Sequence, residues 1–110
     1  MKIGCYCGAS IVDQTDYLSH KGRLIPDQEW FAVFDAIDAE IIDALASGLL
    51  PQSDAYRLAR KIILRISRMV YQCRNCGRLF IDDLQRNLQS YVPATEETSR
   101  EILRSRPSGA

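Results

Sequence analysis

The sequence predicts an α+β protein in which a small antiparallel sheet, built from both ends of the chain, is interrupted by an antiparallel helical hairpin at about residues 27–70. Two observations lead to this prediction. Short β-branched segments flank a pair of cysteines at each end, and between them apolar residues recur every three or four positions. With 110 residues, of which 46% are hydrophobic, the chain has the size of one domain. We expect that domain over residues 1–94, followed by a polar segment over residues 95–110.

The strand signals lie at the two ends of the predicted domain. Residues 2–5 run into the first cysteine pair and residues 10–13 leave it, which predicts a short hairpin. Residues 15–23 are polar and are expected to form a loop. Residues 69–93 run through the second cysteine pair, turn at the polar residues 83–87 and return. This pattern predicts a second hairpin with a third strand.

The first predicted helix begins at Pro26-Asp27. Asp27 can cap free backbone amides and places negative charge at the positive end of the helix dipole. The helix is expected to end at Ser47-Gly48, before Pro51. Its acidic composition is marked, because residues 27–43 contain six acidic residues and no basic one. One apolar stripe is expected along it, made of Trp30, Phe34, Ile37, Ile41 and Leu45.

The second predicted helix begins at Ser53, a favourable N-cap residue. Its expected apolar face consists of Ala55, Ala59, Ile62, Ile63, Ile66, Met69 and Val70. Its basic row consists of Arg57, Lys61, Arg65 and Arg68. A short Gly/Pro turn separates this basic helix from the acidic first one, which predicts an antiparallel hairpin.

The C-terminal segment shows one helix signal. Thr98 and Glu101 have the spacing of a capping box, which predicts a short helix near residues 97–104. Residues 106–110 are expected to be a loose tail.

Four cysteines form two close pairs, Cys5-x-Cys7-Gly8 and Cys73-x-x-Cys76-Gly77, and 65 residues separate the pairs. The start of the chain has no apolar stretch typical of an export signal, and no run approaches the roughly 18 apolar residues of a membrane span. We therefore expect a cytoplasmic protein without membrane contact. In that reducing compartment, paired cysteines are more often metal ligands or redox thiols than structural disulfides. His20 lies in a polar turn and is expected to be a surface histidine rather than a fifth ligand.

The two cysteine pairs resemble the knuckles of zinc-ribbon proteins, in which two β-turns hold one zinc ion. The segment from Tyr71 to Phe80 matches that pattern, whereas the first pair is one residue short. The resemblance implies one structural zinc ion bound by Cys5, Cys7, Cys73 and Cys76. A rubredoxin-like iron site and four buried free thiols are alternatives. The spacing also resembles the zinc switch of redox-regulated heat-shock chaperones, which keeps a thiol redox switch as a further alternative.

The sequence contains no catalytic motif, and a closed four-thiolate site has no open position for a substrate. We therefore expect a non-catalytic, zinc-stabilised binding or regulatory protein that acts through a protein partner. Phe31, which lies off the apolar stripe, is a candidate contact, although packing on the sheet would also explain it.

The alternative function is a nucleic-acid-binding zinc ribbon. Its candidate contacts are Arg57, Arg60, Lys61, Arg65, Arg68, Arg74 and Arg78. Against it, the net charge is zero: residues 1–50 carry three basic and eight acidic side chains, and residues 51–110 carry eleven and six. The direction in which the basic row points distinguishes the two functions, since a row that faces the acidic helix favours a protein partner.

Overall fold

A computed structural model describes residues 2–105 and has the predicted α+β fold, with helices and two antiparallel sheets. Its contacts divide the chain into two compact units. Among the described residues, the sheet unit contains residues 2–23 and 68–105, and the helical unit contains residues 24–67. That the whole forms one domain stays a prediction.

The sheet unit contains two antiparallel sheets. Strands β1 (Lys2–Gly4) and β2 (Ser10–Val12) form the first hairpin, with Ile3 opposite Ile11. The second sheet has the order β3-β4-β5-β6, and its strands are β3 (Lys21–Leu24), β4 (Arg68–Gln72), β5 (Leu79–Asp82) and β6 (Leu88–Tyr91). The predicted hairpin with a third strand is therefore confirmed as β4, β5 and β6.

The expectation of a loop over residues 15–23 is wrong at its end, because β3 begins at Lys21. Lys21-Gly22-Arg23-Leu24 contains a single large apolar residue, so it lacks the alternation by which strands are recognised. Tertiary contacts hold it in place. The backbone amide of Gln72 donates to the carbonyl of His20 at 2.8 Å, and strand β4 lies beside β3.

The core of the sheet unit joins the cysteines to apolar side chains of both sheets. Its buried members are Cys5, Ile11, Tyr71, Cys73 and Phe80. At its edge, Lys21 Nζ donates to Asp13 Oδ1 and the Tyr71 hydroxyl donates to Asp13 Oδ2, both at 2.8 Å. These donors, first of all Lys21, hold the pKa of Asp13 below its usual range. The contacts tie β2, β3 and β4 together.

The first helix of the helical unit is continuous but changes its pitch. It consists of α1 (Asp27–Ile37), a π-helical segment (Asp38–Ile42) and α2 (Asp43–Ala46). Pro26 is the N-cap, and Asp27 lies in the first turn, where its charge favours the helix dipole. The predicted apolar stripe is partly wrong. Ile37 and Ile41 pack inward with Val33, whereas Trp30, Phe34 and Leu45 are exposed.

The second helix, α3 (Gln52–Ile66), begins one residue before the predicted cap, with Pro51 at the N-cap. It ends at Ile66 rather than near residue 70, and Met69 and Val70 belong to strand β4. Val33, Ile41, Ala55 and Ile62 form a buried cluster between the two helices. The expected helix near residues 97–104 is also wrong, since this segment forms turns such as that from Thr95 to Thr98. The expected tail at 106–110 lies outside the described residues.

Candidate metal centre

The first cysteine pair lies in the loop of the β1–β2 hairpin. The amide of Cys5 donates to the carbonyl of Ala9 at 2.9 Å, and the amide of Gly8 donates to the carbonyl of Cys5 at 3.0 Å. Gly8 has a φ of +95°, a region that side chains disfavour. The glycine therefore lets the loop turn directly after Cys7 and point both sulfurs to one side.

The second pair lies in the loop between β4 and β5. The amide of Cys73 donates to the carbonyl of Arg78 at 2.9 Å, and the amide of Gly77 donates to the carbonyl of Cys73 at 2.7 Å. Gly77 has a φ of +83°. The two loops are thus alike in construction, and the missing residue in the first one does not prevent its closure.

The four sulfur atoms come together in space and lie within 4.8 Å of one another. Two contacts run between the loops: Cys5 Sγ is 3.6 Å from Cys76 Sγ, and Cys7 Sγ is 3.6 Å from Cys73 Sγ. A disulfide would need about 2.05 Å. Four thiolates at about 2.3 Å from a tetrahedral ion lie about 3.8 Å apart. The spacing and the donor set therefore fit one four-coordinate metal ion.

The cluster is closed on one side and open on the other. Cys5 and Cys73 are buried, Cys76 is half-buried and Cys7 is exposed. Burial raises the pKa of Cys73 to about 11. At the open side, the Asn75 amide donates to Cys7 Sγ at 3.4 Å and lowers the pKa of that thiol to about 6. A metal ion that binds all four as thiolates would displace the proton that burial favours on Cys73.

Arg78 supplies positive charge next to the sulfurs. Its guanidinium donates to Cys5 Sγ at 3.7 Å, which raises the pKa of Arg78, and it lies 5.1 Å from the centre of the Tyr6 ring. The Tyr6 ring in turn stacks on Phe80, with 6.4 Å between the ring centres. Four thiolates on a divalent ion carry a net charge of −2, so a cation at this distance is stabilising.

The C-terminal segment supports the second loop through Gln72, whose side chain is only 2% exposed. Its amide nitrogen donates to the carbonyls of Gly77 and Ser99 at 3.2 and 2.9 Å, and its amide oxygen accepts from the backbone amide of Ile102 at 2.9 Å. Arg100 also donates to the carbonyl of Asn75 at 2.7 Å. Residues 99–102 therefore hold the loop that carries Cys73 and Cys76.

The structure brings together the four cysteines that the sequence singled out. The prediction that His20 lies at the surface is wrong, since this side chain is buried and its Nε2 is 2.7 Å from the carbonyl of Val12. Sequence reasoning missed Asn75, Tyr6 and Gln72, and it named Arg78 only as a possible phosphate contact. The sequence could have indicated them only through their positions next to the cysteines or between them.

The fold and the cluster define a class: a small α+β protein with a four-cysteine site that could hold a metal ion. Within that class, the chain belongs to the family described as domain of unknown function DUF8617, whose model matches residues 1–97. Neither the curated proteins nor the solved structures contain a significant match to it. Among residues 2–105, no helix is both long and apolar enough to cross a membrane.

Proposed function

We propose that the protein binds one structural zinc ion through Cys5, Cys7, Cys73 and Cys76, and that it is a non-catalytic binding or regulatory protein that acts through a protein partner. The observation that carries the metal site is the pair of 3.6 Å sulfur contacts between the two loops. They leave the sulfurs too far apart for disulfides and close to the edge length of a tetrahedral site.

A structural ion is favoured over a catalytic one by the complete donor set of four thiolates, which fits tetrahedral zinc and iron alike, so elemental analysis decides between the two metals. Four thiolates satisfy tetrahedral zinc completely, so no position remains for a substrate, which supports a structural rather than a catalytic ion. The ion would join the first hairpin to the second sheet, and the strands of both are only three to five residues long. A reducing compartment such as the cytoplasm would keep the four thiols available for it.

The ion pairs formed by the basic row favour a protein partner over nucleic acid. Arg65 donates to Glu40 of the acidic helix at 3.4 Å, and Arg57 donates to Asp54 of its own helix at 3.1 Å. Arg68 lies on strand β4 and not on the helix. Part of the row is thus neutralised within the helical unit, while Phe31 on the acidic helix is 74% exposed. An exposed aromatic side chain of this kind is typical of a protein contact.

Elemental analysis of protein purified without a histidine tag or added metal tests the zinc site. We expect one zinc ion per chain in the native protein and in the control Ser90→Ala. In Cys73→Ser we expect the zinc ion to be lost and the sheet unit to unfold, because the binding free energy of structural zinc contributes directly to folding. Iron in place of zinc, or four titratable thiols without metal, would contradict the proposal.

Cross-linking in cells tests the partner. The native chain is compared with Phe31→Ser and with Leu84→Ser, which removes an equally exposed side chain in the turn before β6. We expect cross-linked protein to be lost only in Phe31→Ser. Steeply salt-dependent binding of DNA or RNA that is lost in Lys61→Gln would instead favour the nucleic-acid alternative.

A further inference from the structure

The helical unit carries a second apolar surface, whose side chains stay exposed among the described residues. On the first helix it consists of five exposed side chains, here called the outer strip: Trp30, Phe31, Phe34, Ile42 and Leu45. Trp30 and Phe34 form an edge-to-face pair with 5.1 Å between their ring centres. These residues differ from those that pack against α3, which are Val33, Ile37 and Ile41. The first helix is therefore apolar on two sides.

Helix α3 has a corresponding exposed side. Tyr56 and Leu64 are both exposed, and they lie eight residues apart with the exposed Arg60 halfway between them. Residues four apart lie on one face of a helix, so the three side chains form one line. Arg57 and Lys61 flank this line and are exposed as well. The exposed side of α3 is thus partly apolar, and Arg60 supplies positive charge on it.

The two exposed sides lie on the same side of the helical pair. Only residues 47–51 join the helices, and both helices share one core, so they run antiparallel. A helix turns by about 100° per residue. Counted this way along α1, Trp30, Phe31 and Phe34 are rotated from Val33 and Ile37 in the same sense as the line from Tyr56 to Leu64 is rotated from the core of α3. Glu40 and Arg65 are rotated in the opposite sense and form their salt bridge there. Together the exposed sides make one two-helix surface.

The two helices that form this surface carry opposite charges. Residues 27–46 contain six acidic side chains and no basic one, whereas α3 contains four basic side chains and only Asp54 as an acid. Of these, Glu40 and Arg65 pair with each other away from the surface. Two copies related by a two-fold axis that runs parallel to the helices would place the acidic helix of each against the basic helix of the other. The opposite pairing, acidic helix on acidic helix, would be repulsive.

We propose that a second copy of this chain docks on this surface, with the two helical pairs forming a four-helix bundle in which acidic and basic helices alternate. The arrangement is closed, because a two-fold interface uses the same surface in both copies. This inference rests on the proposed function and names the protein partner of the surface around Phe31. Trp30, Phe31 and Tyr56 would supply the buried contacts, and the charges would set the register.

The test is the mass in solution of the full zinc-loaded chain, measured by sedimentation equilibrium from about 1 to about 100 μM. We expect twice the chain mass of 12.5 kDa, with weaker association at high salt. Phe31→Ser and Tyr56→Ser should each weaken dimerisation about tenfold or more, and Leu84→Ser should leave it unchanged. A monomer throughout this range overturns the inference.

Charge reversal tests the proposed pairing of helices. Asp38→Arg and Arg60→Glu should each weaken the dimer about threefold or more, and the double variant should recover most of the loss. A dimer strengthened by Asp38→Arg would mean that acidic helices face each other and would overturn the arrangement. Zinc is measured in the same samples. One zinc ion per chain in a monomer overturns the dimer alone, whereas a metal-free chain contradicts the proposed function.

Discussion

Replacing Gly77 by alanine is expected to destabilise the sheet unit more than replacing Gly8, although each glycine directly follows a cysteine pair. Both have a positive φ, +83° and +95°, so an alanine at either position meets a backbone conformation that costs about 1–2 kcal/mol. This shared term makes Gly8→Ala a matched control for the backbone.

The difference lies in what the new methyl group would meet. At Gly8 it would have no neighbour within 4 Å. At Gly77 it would lie 3.0 Å from Cγ of Pro93 and 3.2 Å from Cγ of Arg100. Moving Arg100 would strain its 2.7 Å hydrogen bond to the carbonyl of Asn75. Overpacking of this kind costs about 1–3 kcal/mol, so we expect losses of about 1–2 kcal/mol for Gly8→Ala and about 2–5 kcal/mol for Gly77→Ala.

Urea unfolding of the metal-loaded proteins, followed by circular dichroism, measures these losses. Gly4→Ala provides a second control, because Gly4 has no positive φ and no neighbour within 4 Å of an added methyl group. We expect it to stay within about 0.5 kcal/mol of the native protein. Equal losses for Gly77→Ala and Gly8→Ala would refute the reasoning, since they would mean that the C-terminal segment does not pack on the second loop.

Three further predictions concern other parts of the molecule. Asp13→Asn should lower the unfolding free energy by about 1–3 kcal/mol, whereas the exposed Asp16→Asn should leave it almost unchanged. Because the pKa of Asp13 is lowered in the folded protein, the carboxylate stabilises the fold at pH values above the unfolded pKa of about 3.9, and this contribution is lost only below that value. A loss of stability in Asp13→Asn that differs between pH 8 and pH 6 would contradict this origin. Ile62→Ala, at a fully buried position between the helices, should lower the stability measured by thermal unfolding by about 2–5 kcal/mol, whereas Leu49→Ala in the exposed turn should lower it by under about 1 kcal/mol. Similar losses for the two variants would contradict the packing of Ile62 between the helices. Arg78→Gln should weaken zinc binding about tenfold or more, as measured by competition with a chromophoric chelator. Arg74 is an exposed residue of the same loop, and an equal effect of Arg74→Gln would argue against a specific role for Arg78.

The local signals of the sequence determined much of the fold. The cysteine pairs with their following glycines predicted two tight loops, and the polar turn at residues 83–87 within residues 69–93 predicted the hairpin with its third strand. The Gly/Pro segment at 47–51 predicted the break between the helices. Each of these features depends on backbone preferences within a few residues, so it can be recognised without knowledge of distant contacts.

Other features were decided by tertiary structure, because they depend on partners that are far away in the sequence. Strand β3 forms beside β4 although its own residues show no strand pattern, and His20 is buried by elements that its polar neighbours do not reveal. The spacing of apolar residues correctly predicted the first helix but not which of its sides packs. Val33 and Trp30 are less than one helical turn apart, so both belong to apolar patterns, and only the position of α3 determines that Val33 is buried and Trp30 exposed. For the same reason, the contacts of Asn75, Arg78 and Gln72 with the cysteine-bearing loops became visible only in the structure, where the two loops lie together. The sequence alone determined which sulfurs could come together, and the fold determined which residues surround them.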